Sequence, residues 1–115
     1  MAYNEELALR VGNILAQKNV DFIEKKMFGG LAFMINDKMC IGIIKDELML
    51  RVMEEFYDSL LEQNHVRPMN FTGKTMRGML FIEPEGFRND SQLSKWIDYG
   101  LDFGDRGVLK SKKKT

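Results

Sequence analysis

Apolar residues fall at Leu7, Val11, Ile14 and Leu15, and this i, i+4, i+7, i+8 spacing lays them along one face of an amphipathic helix. Asn4 stands where an N-cap would accept a backbone N–H, and Glu5 and Glu6 follow in the first turn, where the helix dipole favours acids. Asn19 supplies the stop. From Val20 to Val52 the period shortens to two and turn residues recur, which predicts strands. Glu24 to Phe28 leads in, with Gly29-Gly30 as a bend or bulge. Leu31, Phe33 and Ile35 then alternate with Ala32 and Met34, and Asn36-Asp37 turns the chain into Met39 to Ile44. Lys45-Asp46 separates that strand from Glu47 to Val52. Connections this short cannot carry a parallel crossover, so the strands form an antiparallel meander.

A second helix is predicted from Glu54 to Gln63, where Met53, Tyr57, Leu60 and Leu61 resume the helical spacing and Asn64 closes it. Arg67 to Phe71 and Met76 to Ile82 read as two more strands, joined by Thr72-Gly73-Lys74-Thr75 and ended by Pro84 and Gly86. Asn89 or Asp90 caps a third helix carrying Leu93, Trp96, Ile97, Gly100 and Leu101 on one face. The order α-β(3-4)-α-β(2)-α predicts a two-layer α+β domain, an antiparallel β-sheet packed with helices. One domain spans residues 1–109, and a basic flexible tail spans 110–115.

Composition narrows the class. A chain of 115 residues builds one core, burying roughly 65% of its unfolded surface. Hydrophobic residues at 44% and charged residues at 30% indicate neither disorder nor a membrane span, and no membrane partner is expected. The N-terminus lacks the basic and apolar regions of a secretory signal, which predicts a cytoplasmic protein. Cys40, the single cysteine, excludes an internal disulfide and agrees with a reducing compartment. Seventeen cations balance seventeen acids, so the domain as a whole is not the basic body of a non-specific nucleic-acid binder. The tail departs from that balance: after Asp105 come Arg106, Lys110, Lys112, Lys113 and Lys114 with no acid. Such a run is a solvated terminus or a short arm for an acidic partner or a phosphate backbone, with no base specificity of its own.

Catalytic chemistry is sparse. His65, the one histidine, lies in the loop after the second helix without a recognisable orienting partner. A single histidine and a single cysteine leave no Cys/His zinc set, and Cys40 falls mid-strand as a small hydrophobe. No catalytic, cofactor or metal residue is expected. Phe28-Gly29-Gly30 lacks the glycine spacing of a phosphate loop and reads as a structural bend. Nine methionines are unusual, and all but Met1 fall between positions 27 and 79. Methionine fills irregular cores and also lines surfaces that adapt to partners, and both readings stay open for these strands. Lys26, Arg51, Arg67, Lys74 and Arg77 either converge near the glycine bend as an anion-binding patch or stand apart as solvated cations.

Lys26-Met27-Phe28-Gly29-Gly30, Phe33-Met34-Ile35-Asn36 with Met39 three residues on, Leu48-Met49-Leu50-Arg51, Pro68-Met69, Gly73-Lys74-Thr75-Met76-Arg77-Gly78 and Trp96 together resemble the N-terminal domain of the TfoX/Sxy family. The resemblance covers nearly the whole chain and implies a secretion-chaperone-like fold, a bacterial cytoplasmic origin, and a structural role for Met27, Phe28, Gly29, Gly30, Gly73, Gly78 and Trp96. Full-length relatives regulate natural-competence genes with the cyclic-AMP receptor protein and carry a second, helical domain, which is expected to be absent here. The family has no established active site. The resemblance thus implies a non-enzymatic regulatory or protein-interaction domain, transcription-associated, that is expected to bind a protein partner or to self-associate as a homodimer through a sheet face or edge strand. The alternative is a nucleic-acid-binding accessory protein using Lys110, Lys112, Lys113 and Lys114 with the cations near the bend. A small-ligand or enzymatic role would need a concave site beside Lys26, Arg51 and Arg77.

Overall fold

In the computed structural model, which describes residues 3–27, 29–71 and 74–107 and, within these, leaves aside the side chains of 27, 69–71 and 74–77, the Asn4 side chain accepts the Leu7 N–H at 3.0 Å. That cap opens α1 (Glu5–Gln17), whose buried face is Leu7, Val11, Ile14 and Leu15, as the spacing predicts. The chain leaves α1 through Asn19 at φ 60°, the left-handed conformation that asparagine tolerates. Four strands follow, β1 (Ile23–Met27), β2 (Gly30–Ile35), β3 (Lys38–Ile44) and β4 (Glu47–Arg51), each antiparallel to the next. Asn36 and Asp37, at φ 53° and 63°, form the mirror-image turn whose twist matches a two-residue hairpin. The first hairpin loop ends on Gly29 at φ 74°, where a side chain would be strained.

The second half adds α2 (Glu54–Leu61), β5 (Val66–Phe71), β6 (Lys74–Ile82), a 3₁₀ turn (Pro84–Phe87) and α3 (Asp90–Arg106). Asn89 and Gln92 cap α3 reciprocally, and the Trp96 indole donates to the Gly86 carbonyl at 3.0 Å, which ties the 3₁₀ turn to the helix. The helix runs five residues past Leu101, and Phe103 and Gly104 join its buried face. Its far end rests on Lys38, whose Nζ donates to the carbonyls of Gly104 at 3.1 Å and Gly107 at 2.6 Å.

The six strands form one antiparallel sheet in the order β1-β2-β3-β4-β6-β5. The α2 crossover lets β6 reach β4, where Leu50 pairs with Leu80, and leaves β5 outside as an edge. All three helices contribute to one core on one face of the sheet, with Leu31, Phe33, Ile41, Ile43, Leu48, Leu50, Leu80 and Ile82 pointing into it. This is a two-layer α+β fold. Gly100 lets α3 sit against β3, since a Cβ there would meet Ile41 Cγ1 at 2.9 Å and the Cys40 carbonyl oxygen at 3.1 Å. Among the described residues, no helix is long and apolar enough to cross a membrane.

Candidate interaction face

One β-bulge decides what the other face of the sheet presents. Phe33 pairs with Ile41 and Met34 with Met39, so Cys40 is the extra residue of β3. The bulge turns Cys40 into the core and returns Met39 to the face that the helices leave uncovered, opposite Met34. There Met39 and Ile44 pack against a second, smaller cluster of Met49, Met79 and Phe81. The row Lys25–Ala32–Gly42–Met49–Phe81–Arg67 crosses all six strands on this face, apolar at its centre and cationic at both ends. Met34, Met39, Met49 and Met79 therefore share the helix-free face, whereas Met53 packs at the margin of the main core. Ile23 lies at the end of a neighbouring row, 63% exposed and paired in register with Met34.

Arg67 borders the cluster. Its guanidinium lies 5.0 Å from the Phe81 ring centroid, pairs with Glu47, and approaches Glu83 at 3.7 Å. Packing thus holds a cation over an aromatic face beside two acids. Met49 and Met79 keep 3% exposure and Phe81 8%, so the accessible apolar part of the face is half-buried Met34, Met39 and Ile44, inside a charged rim.

Among the cations singled out in the sequence whose side chains are described, Lys26, Arg51 and Arg67 do not meet in one patch. Lys26 lies on β1 and Arg67 on β5, opposite edges separated by five strand spacings, roughly 24 Å. Arg51 turns to α3, with its guanidinium 4.9 Å from the Phe103 ring centroid, and burial pulls it below its usual pKa. The side chains of Lys74 and Arg77 lie outside the described residues, as do Phe28, Gly73 and the tail lysines Lys110, Lys112, Lys113 and Lys114. Of the structural motif, Gly29 closes the first hairpin and Gly30 packs against the Ile43 carbonyl. Gly78, at φ 94°, accepts the Val52 N–H at 2.8 Å through its carbonyl, where β6 bends away from β5.

Cys40 is 1% exposed, and burial pushes its thiol up to about 11, so it persists as a neutral, unreactive group. His65, Glu83 and Glu85 bring ligand atoms within 4.8 Å of one another, a trio the sequence hides because it depends on the β5–β6 pairing that bonds Glu83 N–H to the His65 carbonyl. These groups could contact a metal ion from one side, but they are largely exposed and Arg67 already approaches Glu83. An adjoining depression of about 500 Å³ is lined by His65, Glu85, Gln92, Lys95 and Trp96, and neither Lys26 nor Arg51 reaches it.

The sequence model of the TfoX N-terminal domain family matches residues 15–104, most of the chain. No curated protein and no solved structure is significantly similar to it.

Proposed function

We propose that this chain, which belongs to the TfoX N-terminal domain family, is a non-enzymatic protein-interaction domain that docks a protein partner on the helix-free face of its sheet. The observation that carries this reading is the set of half-buried apolar side chains Met34, Met39 and Ile44 on that face, seated on the buried Met49, Met79 and Phe81 and rimmed by Arg67 and Lys25. A two-layer domain needs only one apolar sheet face for its own core. The second cluster is itself buried, and it supports half-buried Met39 and Ile44 on a face that no described helix covers, where a methionine can repack against a partner. Family membership gives the role its direction, a regulatory one associated with transcription in the cytoplasm, with a protein as the ligand.

Affinity purification with the wild-type chain and with Met39→Glu and Ile44→Glu tests the reading. Both side chains are half-buried at the margin of the cluster, so the variants are expected to fold. Loss of a co-purifying protein in both, with thermal melting intact, is the expected result. Retention of every partner in both would oppose the reading.

The alternative, a nucleic-acid-binding accessory protein, draws on the cationic run from Arg106 to Lys114. Within the described fold, Arg10, Lys18, Arg67 and Arg106 are paired with Asp90, Asp98, Glu47 and Asp102, and such pairing weakens a phosphate-binding surface. Binding that falls steeply with salt and disappears on removal of residues 110–115 would favour this reading over the first.

A further inference from the structure

We infer that two copies of this chain pair antiparallel through the free edge of β1, centred on Lys25, to make one continuous sheet. The pairing uses the sheet edge, is independent of the docking role proposed for the face, and takes a second copy as the occupant.

Backbone parity limits how the edge can pair. Met27 and Gly30, three positions apart, are the closing pair of the β1–β2 hairpin, and such a closing pair is hydrogen-bonded, so residues 27, 25 and 23 direct their N–H and C=O groups to β2. Glu24 and Lys26 therefore direct theirs outward, along the open edge of the sheet. Any antiparallel partner must bond to these two residues, which restricts a symmetric pairing of β1 with itself to three central registers. One sets Glu24 against Glu24 and another sets Lys26 against Lys26; both place like charges in directly opposed positions. The third, with its two-fold axis at Lys25, sets Glu24 against Lys26 twice. That register alone is charge-complementary. It also aligns Ile23, one of two strongly exposed large hydrophobic residues among those described, with position 27 of the second copy.

The side chains agree with such an approach. Glu24, Lys25 and Lys26 are all exposed, and Glu24 and Lys26 share the helix side of the sheet, because they pair with Phe33 and Leu31. The opposite edge is protected, since β5 carries Pro68 and a register break beside it. One open edge and one blocked edge give a closed dimer rather than a fibre. The cost lies on the axis, where Lys25 meets its own copy. With one five-residue strand from each copy, the contact falls below the roughly 1,000 Å² of a stable interface, so the pairing is a concentration-dependent equilibrium.

Sedimentation velocity over a concentration series reaching the millimolar range tests the inference. The wild type should shift from monomer to dimer, and Glu24→Lys or Lys26→Glu should weaken the dimer at least about tenfold. The double variant Glu24→Lys with Lys26→Glu restores opposed charges and should restore the dimer. Lys25→Thr should tighten it, a result specific to the Lys25-centred register. Lys26→Pro removes only an outward N–H and should give a folded monomer, checked by circular dichroism. A wild type that stays monomeric, or a dimer unmoved by Glu24→Lys, would overturn the inference. So would a dimer lost in Ile44→Glu but kept in Glu24→Lys, which would assign self-association to the sheet face. A monomeric wild type that still binds its partner through Met39 and Ile44 would overturn the edge pairing and leave the docking role standing.

Discussion

The guanidinium of Arg67 lies 5.0 Å from the centroid of the Phe81 ring, on the face of the sheet that no described helix covers. This contact joins the charged rim of the face to its apolar centre. Phe81 retains only 8% exposure there, and Arg67 is one of the groups that shield it.

Arg67→Ala should cost about 1 kcal/mol in urea unfolding, combining the lost stacking with weakly contributing, partly exposed ion pairs. Arg67→Lys keeps the charge but not the planar stack and should recover only part of that stability. Equal stability of all three proteins would mean that the contact carries no energy.

Gly30→Ala and Gly29→Ala should both destabilise the first hairpin, and Gly30 by more. A Cβ on Gly30 would overlap the carbonyl oxygen of Ile43, which belongs to the β2–β3 ladder and cannot move freely. At Gly29 the penalty is conformational, about 1–2 kcal/mol for a left-handed backbone, with open space around the new methyl. Melting temperatures of the two variants check the order. A milder effect at Gly30 than at Gly29 would contradict the close approach.

Much of this architecture is legible in the chain because it is local. The spacing of Leu7, Val11, Ile14 and Leu15 marks the buried face of α1, and two-residue turns at Asn36-Asp37 and Lys45-Asp46 compel the meander. Long-range relationships are less accessible. Nothing in the alternation of Met39 to Ile44 announces the bulge at Cys40, so strict period two puts Met39 on the same face as Ile41, whereas it packs with Ile44. The distance between Lys26 and Arg67 depends on β6 rather than β5 pairing with β4, a choice made by the crossover through α2. The helix-free cluster combines both effects. Methionine content signals its presence, and only the register assigns its face.

Cys40 should resist thiol reagents in the native protein near pH 8 and react once the chain unfolds, because it is buried and its pKa is raised to about 11 by that burial. The sign of the linked stability is set by the same shift. The unfolded thiol ionises near 9 and the folded one near 11, so the contribution is complete below pH 9 and is lost as pH rises through 11. The loss amounts to about 2–3 kcal/mol. Cys40→Ala, compared with the wild type by denaturant unfolding between these pH values, should lack that loss; parallel curves would refute the assignment.

Site-specific photo-crosslinking in the cell tests the docking face most directly. A photoreactive residue at Met39 or Ile44 should capture a distinct protein, whereas one at the exposed Asn13 of α1 should not. Capture from Asn13 alone, or none from Met39 and Ile44, would contradict a partner-binding role for the helix-free sheet face.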